Sequence, residues 1–347
     1  MSEERALLAE TLERLLGDAL GRVDPKATTG ALDVALWKQV EELGLPLLLV
    51  PESAGGAGGG FEDAGVVARA LGRFATALPL GETLLAARLL ADARIERPTG
   101  PLSLALASEG ELAGGRFRGA LDAVPWGAEA AGVVAVLPGA AGAHVALLSP
   151  AAAVVERRAN LADEPRDRLR FDGAAVASAP AGADDAARLF DHAALLRTGQ
   201  IAGALAAALA RSLAHATARV QFGKPLAQFQ AVQQLLAVMG EEVLAVDCAA
   251  AAAFRESDRG DAGFEIACAR LRANLAIETV AAGAHQIHGA VGFTREQDLR
   301  LFTQRLLAWR GELGSDRLWA ERLGRQVAAR GADAFWPDLT ARTDGAA

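Results

Sequence analysis

Lysine is almost missing from this chain. Of 35 basic residues, only those at positions 26, 38 and 224 are lysines, a bias that fits GC-rich coding more than function. Against 43 acidic residues the formal net charge is −8, so the basic patch of a nucleic-acid binder is not expected. Cysteine is scarce too. Cys248 and Cys268 sit in apolar helical contexts, with no CxxC or Cys/His spacing that would hold a metal. They are expected to be buried thiols in a reducing cytosol. The N-terminus, Met1-Ser2-Glu3-Glu4-Arg5, lacks the basic-then-apolar pattern of a secretory leader. The longest weakly polar stretch, Ala130 to Val155, is interrupted by Pro138, Gly139, His144, Ser149 and Pro150. It reads as strands and turns, not a membrane span. A cytoplasmic, soluble protein is expected. No GxxxxGK[ST] and no strand–GxGxxG–helix unit is present, so the glycine run from Gly55 to Gly60 reads as a flexible connector and not a phosphate cradle.

What the chain does have is alanine-rich apolar sequence, 52% hydrophobic over 347 residues, enough for two or three domains. Residues 1–97 read as helical: Leu7, Leu8, Leu12, Leu15, Leu16 and Leu20 recur at helical spacing, and Trp37, Val40 and Leu43 form a second apolar face ended by Gly44. Over 98–182 the helical period fades. Leu102–Ala107, Val133–Leu137, His144–Leu148, Ala152–Glu156 and Arg168–Phe171 are strand candidates for a small barrel or sandwich, and Pro180-Ala181-Gly182 is a linker. Residues 183–335 read as a four-helix bundle, followed by a tail at 336–347. Its helices are expected from Asp184 to Arg219, Gln230 to Arg255, Gly263 to Ile287, and Glu296 to Arg330, with a turn at Asp258–Asp261.

Two strings in the bundle do more than packing needs. One is Arg219-Val220-Gln221-Phe222-Gly223-Lys224-Pro225-Leu226, running on through Phe229 and Val232. The other is His285-Gln286-Ile287-His288-Gly289-Ala290-Val291-Gly292-Phe293. An arginine, a glutamine and an aromatic ring suit a pyrophosphate, a polar edge and a ring face. Taken singly, Arg219 reads equally as a charge at a helix C-terminus, Phe222 as core and Gly289 as a helix stop. His285 and His288 share a helix face but lack further metal ligands, and read as packing or solvent-facing histidines.

In this order and spacing the pair resembles the C-terminal domain of the acyl-CoA dehydrogenase family. The Leu-Pro…Val-Pro-Glu…Gly-Gly-Ala-Gly loop at 45–58, followed by Leu71-Gly72-Arg73, is similar to its N-terminal domain. The resemblance implies a mainly α fold: an N-terminal helical domain, a middle β-barrel and a C-terminal four-helix bundle. It implies FAD as cofactor, an acyl-CoA thioester as substrate and an electron-transfer flavoprotein as acceptor. The chain would be a homo-oligomer, or would form a heterotetramer with a full-length sister. It implies further that Arg219, Gln221 and Phe222 contact the FAD pyrophosphate arm and that Leu226, Phe229 and Val232 line its adenosine side. Gln286 and Gly289 would reach the same cofactor from a neighbouring subunit.

The family's reaction needs a carboxylate for the α-proton and a flavin to accept the β-hydrogen. Glu312 is the one candidate base, placed by a one-residue shift; a solvent-facing carboxylate at a helix end is the other reading. As base it would need a raised pKa. The family's Thr-Glu-Pro-x-Ala-Gly-Ser segment falls on Ala105–Glu111 without its proline. The Trp-Ile-Thr strand falls on Ala123-Val124-Pro125, with Trp126 displaced, and proline offers neither N–H nor hydroxyl. A non-catalytic partner subunit and a flavin-free helical scaffold therefore stand beside an active dehydrogenase.

Overall fold

The structure is a computed structural model that describes residues 2–23, 30–139 and 142–344. Four helices come first: α1 (Glu3–Gly21), α2 (Val34–Glu42), α3 (Phe61–Arg73) and α4 (Leu80–Asp92). Ser2 and Asp33 cap α1 and α2 by accepting from the backbone N–H three residues on, which satisfies donors that a helix start leaves open. Trp37 and Val40 are buried as their spacing predicts, but Leu43 is exposed. The glycine run is no loose connector. Gly56, Ala57, Gly58 and Gly59 donate to Pro51, Leu47, Val50 and Leu48 carbonyls, a dense set of main-chain bonds that pins the loop.

The middle of the chain forms one sheet of β1 (Leu102–Ala105), β2 (Ala107–Ala113), β3 (Arg116–Pro125), β4 (Gly132–Gly139), β5 (Gly142–Leu148), β6 (Val154–Glu156), β7 (Arg166–Ala175) and β8 (Ala177–Pro180). The order is β6-β7-β3-β2-β4-β5-β8, with β1 pairing parallel to β4. Its inward face buries Phe117, Leu121, Val133, Leu137, Leu148, Leu169 and Phe171. Strands β2, β3 and β8 go beyond the sequence expectation. In β2 only Leu112 is buried, so it has no alternation to read.

The last part is helical: α5 (Asp185–Ala218), a hairpin of β9 (Val220–Gln221) and β10 (Lys224–Pro225), α6 (Gln230–Arg259), α7 (Gly263–His288), α8 (Leu299–Gly311), α9 (Asp316–Arg330) and α10 (Ala332–Asp344). Helix α5 is the one described helix long and apolar enough to cross a membrane, but 78% of that window is buried inside the protein. It is the central core helix. Helix α3 crosses it very closely. A Cβ on Gly72 would lie 1.8 Å from the Gln200 carbonyl oxygen, and one on Gly203 would lie 1.9 Å from that of Arg69, so neither position admits a side chain.

Three further expectations need correction. The helix expected over 296–330 is two helices, broken where Leu313 and Gly314 take φ of 54° and 99° and Ser315 caps the next turn. Helix α6 runs on through Arg259, so the expected turn starts only at Gly260. Cys248 is exposed, not buried; Cys268 is partly buried, and burial pushes its thiol up to about 11.

Candidate functional site

Two regions stand at opposite parts of α5. The first is a cavity of about 420 Å³ between α4, α5, the sheet and the break after α8. Residues 193, 196, 197 and 200 are one face of α5, and Gly81, Glu82 and Leu85 are one face of α4; both line it. Leu104, Leu106, Ala107, Ala123 and Pro125 close it from the sheet side, with Phe190 and Leu313 completing the apolar wall.

Glu312 lines this cavity, but it is not free. Its carboxylate accepts from Arg166 Nε at 2.9 Å and Nη2 at 3.0 Å and from Asn160 Nδ2 at 2.9 Å, and Arg197 Nη2 stands 3.5 Å away. Burial alone pushes the Glu312 carboxyl up. Arg197 and Arg166, with the bonds from Arg166 and Asn160, pull the other way and leave it below the ordinary carboxylate range. The raised pKa that a base would need is therefore not what the surroundings produce.

Behind it lies Glu164, buried at 1% exposure. It accepts from Arg305 Nε at 3.0 Å, Trp309 Nε1 at 2.8 Å, Arg166 Nη2 at 3.1 Å and Asn160 Nδ2 at 3.0 Å. Burial opposes its ionisation, but Arg166, Arg305 and Arg197 outweigh it and bring the carboxyl down to about 2. Arg197 completes the web through Glu82 at 3.3 Å, and its guanidinium lies 4.9 Å from the Trp309 ring centre. Asn160, Glu82, Glu164, Arg166, Arg197 and Arg305 were absent from the sequence reading. They are scattered over the chain, and only Arg197, a charge inside an apolar helix, was a local signal.

The second region is the far end of α5. His215, one turn before the end, stacks on His288 of α7 at 4.4 Å, which brings the Arg219 and Gln286–Gly289 strings to the same end of one chain. Phe222 and Gly223 form the hairpin turn with φ of 51° and 81°, and Phe222 is 93% exposed. Arg219 and Gln221 are exposed, and Arg219 makes no ion pair among the described residues. Phe229 is partly covered, with Lys224 Nζ 4.3 Å above its ring, and Leu226 and Val232 pack on the bundle core. Gln286 and Gly289 are exposed, with nothing within 4 Å of a Cβ placed on Gly289. His285 meets Thr303 Oγ1 at 3.1 Å and stacks on Phe293. No cluster among the described residues would hold a metal ion.

The donor set at this end fits an anionic dinucleotide: an unpaired arginine, an exposed amide, an exposed ring and open backbone. The cavity is less suited to a flavin ring. No hydroxyl side chain lines it, and the Pro125 carbonyl is already taken by Ser103 Oγ.

A helical domain, a β domain and a helical bundle, with a cavity where all three meet, define an acyl-CoA dehydrogenase fold. The comparisons agree. Residues 2–93 match the family model for the acyl-CoA dehydrogenase N-terminal domain and 181–328 that for the C-terminal domain. The acyl-CoA dehydrogenase IpdE2 of Mycobacterium tuberculosis is 31% identical, over 94% of this chain and 98% of its own length. Its Mycolicibacterium smegmatis counterpart is 30% identical, over 94% of this chain and all of its own length. The ChsE4–ChsE5 complex from Mycobacterium tuberculosis contains a chain that superposes with a TM-score of 0.87 over 94% of this chain and 98% of that one, at 24% identity. This chain belongs to the acyl-CoA dehydrogenase family, whose members bind FAD.

Proposed function

We propose that this chain is a subunit of an FAD-dependent acyl-CoA dehydrogenase, working beside a full-length sister that supplies the general base. The observation that carries this reading is the state of Glu312. A carboxylate held by a two-toothed arginine, a second arginine and an asparagine is anionic and satisfied, so it is a poor acceptor for a weakly acidic α-proton. In the family's chemistry the bound flavin takes the β-hydrogen. This chain's part is the open end of the bundle. Arg219 would bind pyrophosphate, Gln221 and Gln286 would bind polar edges, and Phe222 would cover a ring face, with Gly289 leaving room for close approach. The likeness to a chain solved in a two-protein complex supports a mixed assembly.

The test is Glu312→Gln in the chain purified alone and co-purified with a full-length family member from the same organism. Acyl-CoA-dependent flavin reduction in the mixed assembly is expected to stay within a fewfold of the unmodified protein. Loss of a true base would cost about 10²-fold or more with flavin still bound. That loss would reinstate Glu312 and end the reading.

A further inference from the structure

The cavity has a polar floor that the web of ion pairs does not use up. Gln200 lies on the cavity face of α5, is only 8% exposed, and its side-chain amide finds no protein partner among the described residues. Its Nε2 stands 3.7 Å from where a Cβ on Gly81 would be, so the amide sits against a wall of the cavity left bare by a glycine. The amide opens onto the cavity, so a ligand that covered it without offering a partner would cost about 1–3 kcal/mol, whereas a ligand oxygen would satisfy it. One turn away is Arg197, and Glu82 faces both from α4. The remaining walls are apolar: Leu85, Leu104, Leu106, Phe190 and Leu196.

Charge narrows the ligand. On the floor, Glu82 and Glu312 offset Arg166 and Arg197 one for one. At the rim Arg158 and Arg168 share Asp122 and are further engaged by Glu156 and Glu109. No surplus charge remains to reward a carboxylate or an ammonium group. A glutamine amide both donates and accepts, which suits an uncharged oxygen on an otherwise hydrocarbon body.

We infer that this cavity is a binding site for an oxygenated, uncharged acyl group, with Gln200 as the residue that recognises its hydroxyl or keto oxygen. The inference rests on the acyl-CoA reading for the thioester that delivers the group, but it does not require that the group react here. A plain alkyl chain would bury its hydrocarbon against an unsatisfied amide, and a site built to hydrogen-bond an oxygen discriminates strongly against an analogue without it.

The test uses the protein in the assembly in which it purifies, and titrates three kinds of probe by calorimetry. These are octanoyl-CoA, the set of hydroxyoctanoyl-CoA positional isomers, and suberyl-CoA. At least one hydroxy isomer is expected to bind about tenfold or more tighter than octanoyl-CoA, with suberyl-CoA the weakest. Gln200→Leu should erase that preference. The amide has no protein bond to lose, so the variant should melt no lower than the unmodified protein. Equal affinity for octanoyl-CoA and every hydroxy isomer, unchanged in Gln200→Leu, would overturn the inference and leave the acyl-CoA reading intact. Tightest binding of suberyl-CoA would overturn it in favour of a charged ligand. No binding of any thioester would overturn the acyl-CoA reading itself and the inference with it.

Discussion

Glu164 shows what a single buried carboxylate can do when four donors meet its two oxygens. The folded state holds it ionised down to about pH 2, against an ordinary value of 4.5. A carboxyl depressed in this way contributes stability that is complete above the unfolded value and is lost as pH falls from 4.5 towards 2. The shift corresponds to about 3 kcal/mol at neutral pH. Glu164→Gln keeps the shape and removes the charge, leaving Arg305, itself 1% exposed, without its counter-ion. Its melting temperature is expected to fall at neutral pH, and its acid unfolding to lose part of the slope between pH 4.5 and 2. Superimposable melting-versus-pH curves for the two proteins would show that the charge is not coupled to folding. The residue scale is also where sequence reading was weakest. Arg219, Gln221 and Phe222 were legible because polar and aromatic side chains with no packing task stand out on a short turn. Gln200 was not, because in an alanine-rich helix one amide looks like any surface position until the fold buries it. Glu312 was legible as a position only. Its partners at 160, 166 and 197 come from other elements, and they, not the glutamate, decide its acidity.

Among the elements, the break between α8 and α9 has the most influence on the site. Periodicity carries Leu299, Phe302, Leu306 and Trp309 on one buried stripe, so a continuous helix was a reasonable expectation. The stop signal was present in Gly314-Ser315, a residue suited to positive φ followed by an N-cap. Arg270, buried in α7, fixes the break by donating from Nη2 to the carbonyls of Trp309 and Glu312, each at 2.6 Å, and Trp319 Nε1 donates to Leu313 O at 3.1 Å. A Cβ on Gly314 would lie 2.6 Å from that same Trp319 Nε1. Gly314→Ala therefore carries both a strained backbone and a clash with a fully buried ring. We expect a loss of about 1–3 kcal/mol in a denaturant melt, with Glu312 pulled out of register. An unchanged midpoint would mean that the break tolerates a side chain. The β domain was legible only in part, because β2 is exposed along nearly all its length and β3 bends through positive φ at Ala123, which breaks its alternation.

Across the whole molecule, helix α5 sets the scale. It carries Arg197 and Gln200 in the cavity and ends in the hairpin that presents Arg219. The 22 residues from 197 to 219, at 1.5 Å each, put these points about 33 Å apart. Damage at one end should thus be separable from damage at the other. On the proposed function, Arg219→Ala removes a charge-assisted contact of about 1.5–3 kcal/mol and should deplete flavin from the mixed assembly, whereas Gln200→Leu should leave flavin content unchanged. The distance becomes a statement about inheritance. In an assembly holding two copies of this chain, an allele crippled at the hairpin and one crippled at the cavity should complement each other when co-expressed. Two hairpin alleles should not. The activity of the co-expressed assembly would then read out the length of one helix.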